Sequence, residues 1–464
     1  MGQQSNKKLK IVDFIKSTGI FFVGSSLSKM IGFFLLPLYT SYISTEDYGY
    51  YDLSITYLTV VVELIYFDIW VSALRFMYDE KEEKGKPIKA AGSIFCVSTI
   101  IYLLLMVCIM YFMDIKYMPL IIMVGLLQAV TSFYTFISRG FHKNIDFSIS
   151  GIICTTVAAG LNILLIVYAH MDFSSLYYSL IVGYLCQIFY LEMRVGISKK
   201  IIHSKCEFSL IKKIFIYTLP LGLNAVAFWI LNSFNRIAIS KLLTLSDNGI
   251  YAVGQKFANM LAFAITCFTY AWQDFAFSQG NNKDSGRFYT TACTAYFVFL
   301  GIAISMLMPV IKVLFPILVN EQYSAARNMI PISLMAAAMS GFSTFVGNIF
   351  YAIKNTKIIF ISTVVSCVIN LLCAYPFITL WGLNGANMSI LLSFTINVVL
   401  RYVILYKEIG LRCKWGYIIG VLLLTGISTN IYYYLSIGYN VLWFLSIGCV
   451  LVIFGIKYIK IRKK

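Results

Sequence analysis

Apolar stretches long enough to cross a lipid bilayer follow one another along this chain, with only short polar breaks between them. A helix needs roughly 20 apolar residues to span the hydrocarbon core. Fourteen stretches meet that length, at about 18–40, 50–74, 90–112, 117–138, 147–169, 174–194, 214–235, 249–275, 289–311, 328–350, 358–378, 384–405, 416–434 and 441–459. Backbone groups in lipid must be satisfied inside the segment, so such stretches fold as helices. Only 12% of the 464 residues are charged, against about 25% in a soluble domain. A chain so poor in charge cannot cover itself with a polar surface. The expected fold is an all-α polytopic membrane protein with 14 transmembrane helices. The first stretch reads as a retained helix, not a cleaved signal peptide.

Lysine and arginine set the orientation, because short cytoplasmic loops collect them. With a cytoplasmic N-terminus, 30 of the 37 basic residues fall in inside segments and 5 near outside turns: Lys116, Arg236, Lys241, Lys312 and Arg327. Lys29 and Lys256 fall within helices. An odd number of spans would scramble this alternation, so both termini are expected in the cytoplasm. The net charge of +17 is then a topology signal with attraction to anionic membrane lipids, and no nucleic-acid partner is implied. No G-x-x-x-x-G-K-[S/T] loop occurs, so ATP hydrolysis of that kind is excluded. There is no Cys-x-x-Cys and only three histidines, so no metal site is expected, and the eleven cysteines read as buried, inert thiols.

One motif occurs twice at a constant offset of 200 residues. Asp47, Gly49 and Tyr51 follow the first apolar stretch; Asp247, Gly249 and Tyr251 follow the seventh. Each copy reads as a tight turn, with glycine supplying positive φ and aspartate bonding the turn backbone. Later loops repeat as well: Arg139 to Asn144 after the fourth stretch and Tyr351 to Lys357 after the tenth are short and basic. Asn162 and Asn370 occupy matching places in the fifth and eleventh. The chain is therefore expected to divide into an N-terminal lobe (1–200), a C-terminal lobe (201–410) and two added helices (411–464). The link Ser198 to Lys213 reads as a basic loop. Duplicated halves are a common transporter plan.

Several motifs in order carry a resemblance: six plus six plus two helices, the twin Asp-x-Gly-x-Tyr motifs, Arg75-Phe76, Ala271-Trp272-Gln273-Asp274-Phe275 and Trp381-Gly382-Leu383-Asn384-Gly385-Ala386. The whole chain resembles the polysaccharide transporter family, whose Wzx-type members flip lipid-linked oligosaccharides within the multidrug/oligosaccharidyl-lipid/polysaccharide superfamily. The resemblance implies a non-enzymatic flippase of the bacterial cytoplasmic (inner) membrane. It would translocate undecaprenyl-pyrophosphate-linked oligosaccharide repeat units for surface polysaccharide such as O-antigen or capsule. A V-shaped pair of lobes around a cationic cavity, alternating access, proton or sodium coupling without a cofactor, and a polymerase with its chain-length machinery as partners are further expectations. A lipid II-type flippase and a multidrug cation antiporter are rivals from the same superfamily; the antiporter would want an acidic cavity. A polysaccharide polymerase is a rival of another class, and the short outer loops argue against it.

Ionisable groups inside membrane helices are costly and usually face a cavity or a partner. Lys29, Arg75, Arg236 and Lys256 are candidates for the pyrophosphate. Asn224, Asn259 and Gln273 are candidates for the sugars. Glu63, Asp68 and Asp274 are candidates for ion coupling. Helical spacing aligns Ser25, Lys29 and Gly32, then Thr56, Thr59, Glu63, Tyr66 and Trp70, as path-lining stripes. Plainer readings stand beside these: a Lys29–Glu63 ion pair that only lowers burial cost, Arg75 as a positive-inside anchor, Arg236 and Lys312 snorkelling to the interface, and asparagines as interhelical glue.

Overall fold

The protein is described by a computed structural model covering residues 31, 33–79, 83–204, 207–279, 285–353 and 355–462. The helices, in order, are α1 (Leu36–Tyr42), α2 (Thr45–Tyr66), α3 (Ile69–Asp79), α4 (Gly85–Phe112), α5 (Met118–Gly140), α6 (Asn144–Ile163), α7 (Ser174–Val195), α8 (Ile197–His203), α9 (Phe208–Leu242), α10 (Leu245–Gln279), α11 (Ser285–Leu318), α12 (Ile330–Ala352), α13 (Thr356–Ile409), α14 (Trp415–Tyr434) and α15 (Ile437–Arg462). A π-turn, Leu164–Tyr168, extends α6, and a 3-10 segment, Glu321–Met329, precedes α12. No strand occurs among the described residues. Among these residues eight helices are long and apolar enough to cross a membrane, or nine if the bent pair α2–α3 counts as one span. The protein is a multi-pass membrane protein. The apolar stretches from the second onward coincide with these helices; most of the first lies outside the described residues.

Helix α13 has 54 residues, far more than one crossing needs. It is two antiparallel arms. At Gly382 the backbone leaves the helix with φ 55° and ψ −133°, a conformation open to glycine. A Cβ on nearby Gly385 would lie 1.8 Å from the carbonyl oxygen of Phe377, eight residues back. A straight helix would separate those residues by about 12 Å.

The described residues pack as two compact units: one comprises those up to Ile43 with Tyr50–Ser233, the other Ser44–Gly49 with those from Phe234 onward. In the first, α7 packs on α5 and α6, and α3 on α4 and α5. In the second, α12 packs against α10 and α13, and α14 and α15 lie on α11. This packing boundary falls inside α9.

The twin motifs are not turns. Each is the first turn of a helix, held by a side-chain cap that in the second copy is a full capping box. The N–H of Asp47 donates to Ser44 Oγ at 3.1 Å, and Ser44 Oγ donates to Asp47 Oδ2 at 2.8 Å. Asp247 N–H donates to Thr244 Oγ1 at 3.0 Å, and Thr244 N–H and Oγ1 donate to Asp247 Oδ2 at 3.1 and 2.7 Å. Neither glycine has positive φ. They are there for close approach: within the second unit the two helix starts cross glycine to glycine. A Cβ on Gly49 would sit 1.9 Å from the Leu245 carbonyl oxygen, and one on Gly249 would sit 2.0 Å from that of Thr45. Thr45 Oγ1 and Ser246 Oγ are 2.6 Å apart beside the crossing.

Other expectations change too. The second stretch is broken, not continuous: Phe67 and Asp68 are left-handed, with φ 49° and 56°, and the axis bends by 47°. The basic link carries helix α8. Of the nine described cysteines only Cys154, Cys293 and Cys367 are buried, while Cys96, Cys108 and Cys449 are exposed on apolar helices.

Candidate functional site

In the first unit the polar residues gather at the α2–α3 break. The Glu63 and Asp68 carboxyls are near neighbours across the break, and the Trp70 side chain lies beside Asp68. Glu63 Oε2 is buried with no hydrogen-bond partner among the described residues. Two carboxylates side by side repel when both are ionised, so their proximity favours a proton on one of them or a cation beside them. The break is seated on α9. Phe67 lies where a Cβ on Gly222 would fall, 2.3 Å from its Cδ1. Thr218 Oγ1 donates to Ser72 Oγ at 2.7 Å, and Tyr217 meets Phe76 edge-to-face at 5.7 Å. Arg75 lies two turns beyond Asp68 on α3 and is exposed. Sequence periodicity treats α2 and α3 as one helix and therefore mistakes the stripe: Thr56, Tyr66 and Trp70 are 3%, 1% and 4% exposed. They belong to packing, with Tyr66 against Phe95 and its hydroxyl 3.1 Å from Thr99 Oγ1.

In the second unit a buried polar seam joins α9, α10 and both arms of α13. Asn235 Nδ2 donates to Ser389 Oγ at 2.8 Å, and Asn370 Nδ2 donates to Asn235 Oδ1 at 3.1 Å. The Tyr251 hydroxyl and Gln255 Nε2 donate to Asn387 Oδ1 at 3.2 and 2.8 Å. The first unit has its counterpart in Asn162, which donates to the Tyr39 hydroxyl at 2.9 Å. These asparagines tie helices together. Lys256 and Arg236 are partly exposed, and Asn259 is exposed one turn after Lys256 on α10.

Of the ten residues singled out from sequence, then, the structure brings Glu63 and Asp68 together, with Arg75 nearby on the same broken element. Lys29 lies outside the described residues, as do Ser25 and Gly32. Asn224 sits on α9 and Gln273 and Asp274 on α10, with side chains outside the description. The expected Lys29–Glu63 pair, with Lys29, therefore lies outside the described residues. Lys312 does not snorkel: it is 4% exposed, donates to the Tyr432 carbonyl and lies 5.1 Å from that ring. It caps the carbonyl end of α14. Arg401 is no loop cation either. It is 4% exposed and its guanidinium donates to Ser343 O at 2.6 Å and Ser362 Oγ at 2.9 Å. Its place inside the twelfth apolar stretch, 384–405, is the signal that marks it. Among the described residues no cluster of three or more potential metal ligands occurs.

Solved membrane transporters share this architecture. The lipid II flippase MurJ, in its inward closed conformation, superposes with a TM-score of 0.71 over 96% of this chain and 99% of its own, at 16% identity. An inward-facing multidrug resistance MATE family transporter of the MOP superfamily gives 0.61 over 87% and 96%, at 14% identity. A mutant of the Vibrio cholerae MATE transporter VcmN gives 0.59 over 85% and 96%, at 11% identity. The fold is the one these solved structures share. No curated protein sequence matches significantly. The chain matches the family described as polysaccharide biosynthesis protein over residues 14–272, more than half its length, and it belongs to that family.

Proposed function

We propose that this protein is a flippase that moves undecaprenyl-pyrophosphate-linked oligosaccharide repeat units to the outer leaflet of the bacterial cytoplasmic membrane, for surface polysaccharide such as O-antigen or capsule. The observation that carries the reading is membership of the polysaccharide biosynthesis family in a chain with a flippase fold. Dragging a charged, sugar-bearing head group through hydrocarbon unaided is very costly, so a polar path is required. Fourteen spans with both termini in the cytoplasm would build it, as lobes 1–200 and 201–410 working by alternating access, with 411–464 added. Lys29, Arg75, Arg236 and Lys256 meet the pyrophosphate; Asn224, Asn259 and Gln273 meet the sugars. The Glu63–Asp68 pair, with Asp274, takes the coupling proton or sodium ion, since two neighbouring carboxylates favour taking up a positive charge. The polymerase and its chain-length machinery would receive the product.

A second reading, a lipid II-type flippase, is favoured by the near full-length superposition on the lipid II flippase. Deleting the gene separates them. The proposal expects loss of surface polymer, with undecaprenyl-linked single repeat units trapped on the cytoplasmic side. Arg75→Ala should fail to restore polymer and Arg75→Lys should restore part of it, because the charge returns without the guanidinium fork. Trapped lipid II with unfinished cell wall supports the second reading. Intact polymer with altered sensitivity to cationic dyes sinks both and favours the antiporter.

A further inference from the structure

The 3-10 segment Glu321–Met329 carries two stripes, because three residues make one turn and residues three apart eclipse. Tyr323, Ala326 and Met329 are buried. Glu321, Ser324 and Arg327, with Asn328, line a cavity of about 630 Å³. Its other wall is apolar, from Phe315, Pro316 and Val319 at the end of α11. At about 2 Å of rise per residue, the Glu321 and Arg327 backbones stand roughly 12 Å apart. Among the described residues no ion pair joins them. One cation and one anion thus share a cavity, with a serine hydroxyl between them. Lys312 is engaged at the end of α14, so the cation at this wall is Arg327.

The segment is held in place. The Tyr432 and Tyr433 hydroxyls of α14 donate to the carbonyls of Arg327 and Asn328 at 3.1 and 2.7 Å. A wall fixed in advance costs a guest less ordering. The cavity also sits where an apolar span, Gly286–Leu318, runs out, beside the strongly exposed Ile317. That is the depth at which hydrocarbon gives way to head groups.

We propose that this cavity binds a zwitterionic phospholipid carrying a phosphate and a primary ammonium, as in phosphatidylethanolamine. The phosphate meets the Arg327 guanidinium. The ammonium donates to Glu321 and to Ser324. The first methylenes of the acyl chains lie along Phe315, Pro316 and Val319. A quaternary ammonium has no N–H to donate, and a head group without an ammonium leaves Glu321 facing a phosphate. The site does not depend on the transported substrate.

The test is native mass spectrometry of the purified full-length protein titrated with phosphatidylethanolamine, phosphatidylcholine and phosphatidylglycerol. The wild type is expected to retain phosphatidylethanolamine over both others. Arg327→Gln should weaken that binding about tenfold or more, as loss of a charged hydrogen bond does. Glu321→Gln should erase the preference over phosphatidylglycerol while phosphatidylglycerol still binds. Ser324→Trp keeps both charges and fills the cavity, so it should abolish binding even if Arg327→Gln fails to fold; thermal midpoints verify folding. Equal binding of the three lipids, a wild-type preference for phosphatidylglycerol, or unchanged binding in the folded variants overturns the proposal.

Discussion

Gly49 and Gly249, 200 residues apart in sequence, meet backbone to backbone. A helix crossing with backbone this close leaves no space for a methyl group, so Gly49→Ala and Gly249→Ala must push the helix starts apart. Each is expected to cost about 1–3 kcal/mol, the usual cost of overpacking, read as a lowered thermal midpoint in detergent. Gly426→Ala is the control, since nothing lies within 4 Å of its would-be Cβ. It should be neutral, or stabilising by up to about 1 kcal/mol. The repeat was legible in sequence as Asp-x-Gly-x-Tyr, but its meaning was not. The pattern Ser44-x-x-Asp47 and Thr244-x-x-Asp247 is a helix-start signal, and it places both glycines inside helices. What no single sequence displays is that the two glycines face each other.

At the scale of elements, hydropathy found helix positions well because burying backbone in lipid leaves few alternatives. It missed the α2–α3 break, because Phe67 and Asp68 carry positive φ without glycine or proline to announce it; such strain is held by neighbours, here Gly222 on α9. Arg401 shows the same limit. A basic residue near a segment end reads as a topology marker, whereas this one clamps three helical pieces together. Besides Ser343 on α12 and Ser362 on the first arm of α13, it donates to Thr363 Oγ1 at 3.3 Å. Asn397 adds bonds to Ser362 O and Ser366 Oγ, both at 2.9 Å. Gly347 leaves the space, since a Cβ there would lie 2.9 Å from Arg401 Nη1. Arg401→Met strands several buried acceptors and should destabilise by roughly 1–3 kcal/mol. Arg401→Lys should recover only part of the loss, because one ammonium cannot replace the fork. Thermal unfolding of the two variants in detergent checks the order.

For the whole molecule the consequential number is the count of spans, because each added or missing crossing inverts every loop after it. Helix α13 is where the count turns. Read as one rod it would put Lys357 and Lys407 on opposite faces of the membrane. Its arms, however, run antiparallel, as the bonds from Asn397 and Arg401 back to residues 359–366 require. The two lysines then belong on one face. Lys116 and Lys241 belong on the other face in the fourteen-span arrangement, and Lys199 with Lys357 and Lys407. All five are exposed, so each tolerates cysteine in a background cleared of the eleven native ones. Membrane-impermeant maleimide on intact cells should label Lys116→Cys and Lys241→Cys. It should reach Lys199→Cys, Lys357→Cys and Lys407→Cys only after permeabilisation. Labelling of Lys407→Cys but not Lys357→Cys from outside would make α13 a single crossing. That outcome would cancel the even count and with it the shared cytoplasmic location of the termini. Labels that follow the expected alternation would leave the basic residues where short cytoplasmic loops collect them, and would place Arg75 on the cytoplasmic side, where the proposed substrate would enter.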